Sequence, residues 1–195
     1  MRFWMSLAAL AVLSGPAALA QDKKDAKGDA DLLYKKEQGI SIQKPAKNDE
    51  WEFKDHGLFS NSNFAVAHKV DHVFIEVICQ DKGAGLGSFD PKNVSEQEWK
   101  QFSTSDSFKD CKKVQEIKAG KLPNGGANNP MSYLLDMTCK DKGDRSLEVK
   151  VWSFVGKENQ NFYRIYAVGD EGMYKKHQKI LDLILGSIKI LKIPK

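Results

Sequence analysis

Two segments of this 195-residue chain close on the same pattern: Cys79-Gln80-Asp81-Lys82-Gly83 and Cys139-Lys140-Asp141-Lys142-Gly143. The third cysteine is Cys111. A thiol nucleophile needs a positive, partly exposed setting and a positioned base. Cys79 instead follows Val77 and Ile78 in an apolar run, and reads as inert. If segments 111–118 and 131–139 pair as a hairpin with Ala119 opposite Met131, Cys111 comes to face Cys139. A bond there would contribute roughly 3 kcal/mol in an oxidising compartment. Cys79–Cys139 is the competing pairing, because both residues fall on what read as inner strand faces. Either choice leaves one cysteine over.

The histidines are His56, His68, His72 and His177. On a strand, His68 and His72 would stand about 13 Å apart, and other ligands would be needed to close a metal shell. No metal site is expected from them. His177 falls on the apolar stripe of a helix and reads as a core or boundary histidine. The glycines after the first apolar run, Gly83, Gly85 and Gly87, spell G-x-G-x-G. A dinucleotide fingerprint needs G-x-G-x-x-G leading into a helix. Ser88 stands where the third glycine belongs, and Pro91 reads as barring an early helix start. The stretch therefore reads as a loop, with no nucleotide and no other cofactor expected. Neither a Ser-His-Asp order nor a paired-carboxylate motif stands out, so no catalytic residue is assigned.

These groups need a scaffold, and its elements follow from periodicity. Gly39–Gln43 alternates before Pro45 and reads as a short edge strand. Val70–Cys79 is apolar on both faces, which places it centrally in a covered sheet. Ser95 and Glu98 form a capping-box pattern, so a short helix is expected over 93–102 with Ser95 as its cap. Further strands are expected at 111–118, 131–139, 147–155 and 162–168. Between Gly172 and Leu185, Met173, Tyr174, His177, Ile180, Leu181, Ile184 and Leu185 lie on one helical face. Asp170 reads as the cap of that helix and Gly186 as its stop. A last strand is expected over 187–193. Together these give an α+β fold, an antiparallel sheet with helices on both faces.

The chain opens with a basic residue, Arg2, an apolar run from Phe3 to Leu13, a Ser14-Gly15-Pro16 break and Ala18-Leu19-Ala20. That is the anatomy of a secretory signal peptide over residues 1–20. Its run is too short to span a bilayer, which takes about 20 apolar residues. Residues 21–33 are largely charged and read as a flexible spacer, leaving 34–195 as one domain. The full chain carries 30 Lys and Arg against 26 Asp and Glu, with both signs interspersed, which argues against a nucleic-acid binder.

Within Val149–Ile190, VKVWSFVGKENQNFYRIYAVGDEGMYKKHQKILDLILGSIKI, a hairpin ends in a tyrosine-bearing strand. An amphipathic helix and a short strand follow. This resembles the end of PsbP-like domains, and Tyr34–Pro45 with Trp51 behind it is similar to their opening strand. The resemblance implies an α/β/α sandwich around a central antiparallel sheet. The family includes a Ran-binding import factor and exported bacterial proteins, and its theme is docking, not catalysis. It transfers no site residue to this chain.

The expectation is an exported domain, periplasmic or extracellular, that binds or helps assemble another envelope component without chemistry of its own. The loops 83–93 and 119–130, with Gly83, Gly85, Gly87, Asn124 and Gly125, are the expected docking elements. One alternative is a carrier for a small apolar ligand near Trp152, Phe154, Phe162 and Tyr166. Another is a thiol enzyme using Cys79.

Overall fold

The computed structural model describes residues 31–45, 49–55, 57, 59, 61–81, 90–124 and 130–193. Residues 1–30, expected to be signal peptide and spacer, lie outside the described residues. The first strands are β1 (Leu32–Lys35), β2 (Ile40–Gln43), β3 (Trp51–Lys54), β4 (Phe64–His68) and β5 (Val73–Gln80). Helix α1 (Pro91–Thr104) follows, then β6 (Phe108–Lys113), β7 (Lys118–Gly120), β8 (Ser132–Asp141), β9 (Ser146–Val155) and β10 (Phe162–Asp170). The chain closes with α2 (Met173–Gly186) and β11 (Lys189–Ile190). β1 begins at Leu32, inside the segment expected to be spacer.

Eight strands form one sheet in the order β3-β4-β5-β10-β9-β8-β6, with β7 also on β8, and every pairing is antiparallel. A second sheet has the order β1-β2-β11. The expected 187–193 strand is thus reduced to two residues and pairs with β2, outside the main sheet. β5 is central, between β4 and β10, as its two apolar faces require.

Strand alternation divides the core between the two faces. Val73, Ile75, Val77, Trp152, Phe154, Ile165 and Ala167 pack with Tyr174, Leu181, Ile184 and Leu185 of α2. Burying each of those α2 aliphatic side chains is worth about 1.5–3 kcal/mol. Ile40 and Ile42 of β2 join the same cluster. On the opposite face, Ile78, Leu135, Met137, Val149, Val151 and Tyr166 pack with Phe102 of α1.

The helix starts differ from the expected ones. Asp90 caps α1 by accepting from the Lys92 amide at 2.9 Å, and Pro91 sits in the first turn, where no amide hydrogen is needed. Ser95 is buried inside the helix and donates to the Pro91 carbonyl. Pro91 therefore opens the helix it was expected to bar, and 81–90 joins a strand to a helix. Gly83, Gly85 and Gly87 lie outside the described residues. Asp170 is the last residue of β10, and α2 starts from Gly172 in the left-handed region at φ 80°. Gly186 is its final residue, followed by Ser187 at the cap.

The hairpin register is shifted from the expected one, because Ala119 pairs with Tyr133 instead of Met131. The chain between β7 and β6 absorbs the difference, so that Lys112 faces Thr138. A bulge follows, with Asp110 at φ 52°. The Cys111–Cys139 disulfide forms beside it. Cys79 packs on the α2 side and Cys139 on the α1 side of the sheet, so the competing Cys79–Cys139 pairing is excluded.

Candidate functional site

With 14 residues, α1 is about 21 Å long, whereas the 10-residue strands β8 and β9 run about 33 Å. The helix packs on β6, β8 and β9, and part of the sheet face beside it is left open. There a cavity of about 420 Å³ is floored by Phe74, Leu147 and Val168 and walled by Phe59 and Phe108. Phe74 and Val168 are direct cross-strand partners on β5 and β10. A second recess of about 280 Å³ shares Phe59, Ser107 and Phe108 with the first and ends at Glu98, Arg164 and Tyr166. The two recesses adjoin at Phe59, Ser107 and Phe108, and together they are termed the groove.

The mouth of the larger cavity is polar. Asp141 Oδ1 accepts from the amides of Gly143 (2.8 Å) and Arg145 (3.0 Å), and its Oδ2 accepts from Arg145 Nε at 2.7 Å. These bonds, led by the Arg145 amide, hold the Asp141 carboxyl below the usual carboxylate range. Arg145 Nη1 also reaches His72 Nδ1 at 2.9 Å. Guanidinium has only hydrogens to give, so Nδ1 accepts and the neutral ring carries its proton on Nε2. Lys142 and Asp170 complete this rim. At the inner end Glu98 is buried, pairs with Arg164 and accepts from the Tyr166 hydroxyl at 2.7 Å. Burial first, and the Glu98 charge second, push the Tyr166 hydroxyl up.

A second cluster lies on the α2 side. One ligand-type atom each from His68, Asp71 and His177 lies within 4.8 Å of the others. Trp51 stacks edge-on against both imidazoles. This donor set does not suit a cation. His68 Nδ1 accepts from the amides of Val70 (3.3 Å) and Asp71 (2.9 Å), which fixes the proton of the neutral ring on Nε2 and leaves no lone pair there. Asp71 Oδ2 is already held by Lys176 Nζ at 2.7 Å and His177 Nε2 at 2.6 Å. The cluster is a latch between the β4–β5 turn and α2. Strand spacing kept His68 and His72 apart, and the structure has His72 at Arg145 and His68 against His177 of α2.

Cys79 is half-buried. Its Sγ donates to the Gln38 carbonyl at 3.7 Å and accepts from Asn161 Nδ2 at 3.6 Å. Burial pushes the thiol up to about 11, against what a nucleophile at neutral pH requires. The four aromatic residues expected to line one apolar pocket are split by strand alternation. Trp152 and Phe154 face α2, whereas Phe162 and Tyr166 project from the other face. Of the four, Tyr166 lines the groove. Asn124 is tucked against the end of α2, where a Cβ on Gly186 would come within 2.9 Å of it. Gly125 lies outside the described residues. The groove residues were missed because Phe74, Phe108, Leu147 and Val168 come from four separate strands. One signal was present: the C-x-D-K-G turn that puts Asp141 ahead of Arg145.

No family model and no curated protein sequence matches the chain. Solved structures do. The solution structure of cyanobacterial PsbP (CyanoP) from Synechocystis sp. PCC 6803 aligns with a TM-score of 0.55 at 11% identity, over 85% of this chain and 95% of that one. LpqN of Mycobacterium tuberculosis, described as involved in cell envelope biogenesis, aligns with a TM-score of 0.52 at 15% identity, over 78% and 83%. A protein from Bacteroides thetaiotaomicron VPI-5482 aligns at 0.53 and 11% identity over 84% of this chain, which spans about half (49%) of that protein. Identities this low carry the architecture and nothing of the chemistry. The chain has the PsbP-like fold, an antiparallel sheet between helices.

Proposed function

We propose that this protein is an exported, non-enzymatic binding domain of the cell envelope, which takes an envelope component in the groove beside α1. The observation that carries the reading is the groove itself: apolar walls with a few convergent polar groups, in the size range of ligand sites. The groups that could do chemistry are otherwise engaged. Cys79 is held as a thiol, His68 and His177 are locked in the latch, and Glu98 is paired with Arg164. Export is supported by the secretory pattern of residues 1–20 and by a disulfide, which persists in oxidising compartments. The envelope role of LpqN points the same way. No helix among the described residues is long and apolar enough to cross a membrane.

Hydrogen exchange of the protein, with and without a detergent extract of its host's envelope, tests this reading. The expected result is new protection around Phe74, Phe108 and Leu147 that Ser107→Trp abolishes, because Ser107 is exposed and lies where the two recesses meet. Protection confined to 83–93 or 119–130 would transfer docking to those loops and sink the groove reading. Absence of any protection would sink it too.

A further inference from the structure

The larger cavity combines an apolar floor with a mouth that offers hydrogen-bond donors. Phe74, Leu147 and Val168 present hydrocarbon from three neighbouring strands. His72 Nε2–H follows from the tautomer that Arg145 imposes. Arg145 has N–H groups beyond those spent on Asp141 and His72. Lys142 adds an ammonium that forms no ion pair among the described residues. Of the two rim carboxylates, Asp141 has both oxygens filled by Arg145 and two backbone amides, so it offers a ligand little and offsets much of the Arg145 charge, leaving Arg145 to contribute its spare N–H groups and Lys142 its charge. Asp170 is the opposing charge at this rim.

We infer that the groove holds a single-chain amphiphile, its hydrocarbon on Phe74, Leu147 and Val168 and an anionic oxygen head at His72, Arg145 and Lys142. The inference rests on the binding-domain reading and narrows it to a ligand class. A carboxylate and a phosphate share this head chemistry. Burying the hydrocarbon supplies most of the affinity, and the charge-assisted hydrogen bonds at the rim supply the selectivity.

Calorimetric titration with four probes below their micellar concentrations tests it: dodecanoate, dodecyl phosphate, dodecanol and dodecyltrimethylammonium. At least one anion is expected to bind about tenfold or more tighter than dodecanol, the worth of one charge-assisted hydrogen bond, with the cation weakest. Whichever anion binds more tightly identifies a fatty acid or a phosphorylated lipid as the source. Lys142→Glu is expected to weaken the anions and leave dodecanol unchanged, and Ser107→Trp to weaken all four. Equal binding of anion and alcohol, or no effect of Lys142→Glu, overturns the assigned head group while the groove stands. If none of the four binds, or Ser107→Trp changes nothing, the amphiphile is overturned. The binding-domain reading then stands or falls separately, on whether envelope extract protects the groove from exchange.

Discussion

Asp71 accepts from both Lys176 and His177, and these bonds hold its carboxyl at about 2, against an ordinary value of 3.8. A depressed folded-state value means that the group stabilises the fold above its unfolded value. That contribution is lost as pH falls from 3.8 towards 2. Asp71→Asn is therefore expected to lower the urea midpoint at pH 6 and to flatten its fall between pH 4 and pH 2. An unchanged acid profile in the variant would show that the latch does not hold α2. The sequence showed His68, Asp71 and His72 as near neighbours, but the partners of Asp71 lie 105 and 106 residues away. Nothing in local spacing reveals them. Glu98 shows the same limit: beside Ser95 it reads as half of a capping box, yet its carboxylate is turned to Arg164 and Tyr166 on β10.

Among the elements, those with a clear period were legible, the four-residue β2 included, and those without one were not. α2 buries Tyr174, His177, Leu181, Ile184 and Leu185, all on the stripe that its spacing predicts. β4, by contrast, is a five-residue strand with Phe64, Ala65, Val66 and Ala67 all buried. Such a run shows no alternation, and only its pairing with β3 and β5 makes it a strand. The small sheet depends on Gly39, which turns β1 into β2 at φ 60°. Asn159 donates to the carbonyls of Gly39 (3.1 Å) and Leu191 (2.9 Å), tying that sheet to the β9–β10 loop. A Cβ at Gly39 would stand 2.2 Å from Asn159 Nδ2 and 2.9 Å from the Leu191 carbonyl. Gly39→Ala is expected to cost about 1–3 kcal/mol in chemical unfolding. A change within about 0.5 kcal/mol would show that the turn relaxes freely.

At the scale of the whole molecule, the disulfide ties the β6 edge to β8 across 28 residues. Removing it as the Cys111→Ser/Cys139→Ser pair is expected to cost about 3–4 kcal/mol, chiefly by freeing the unfolded chain. The difference between oxidised and variant protein in urea unfolding measures it, and a loss under about 1 kcal/mol would contradict a chain-entropy origin. Residues 73–80, 147–155 and 173–185 carried their own period, so a covered antiparallel sheet with α2 on one face followed from the sequence alone. So did the strand position of Cys79 behind Val77 and Ile78, and the partnership of Cys111 with Cys139 as one of two pairings. Tertiary structure chose between those pairings, because Cys79 and Cys139 occupy opposite faces of the sheet. It also split Trp152 and Phe154 from Phe162 and Tyr166, and gathered Phe59, Phe74, Phe108, Leu147 and Val168 into one groove. Periodicity records which face of its own strand a residue occupies. Strand order and the length of the covering helix decide which of those faces meet and where the sheet stays open.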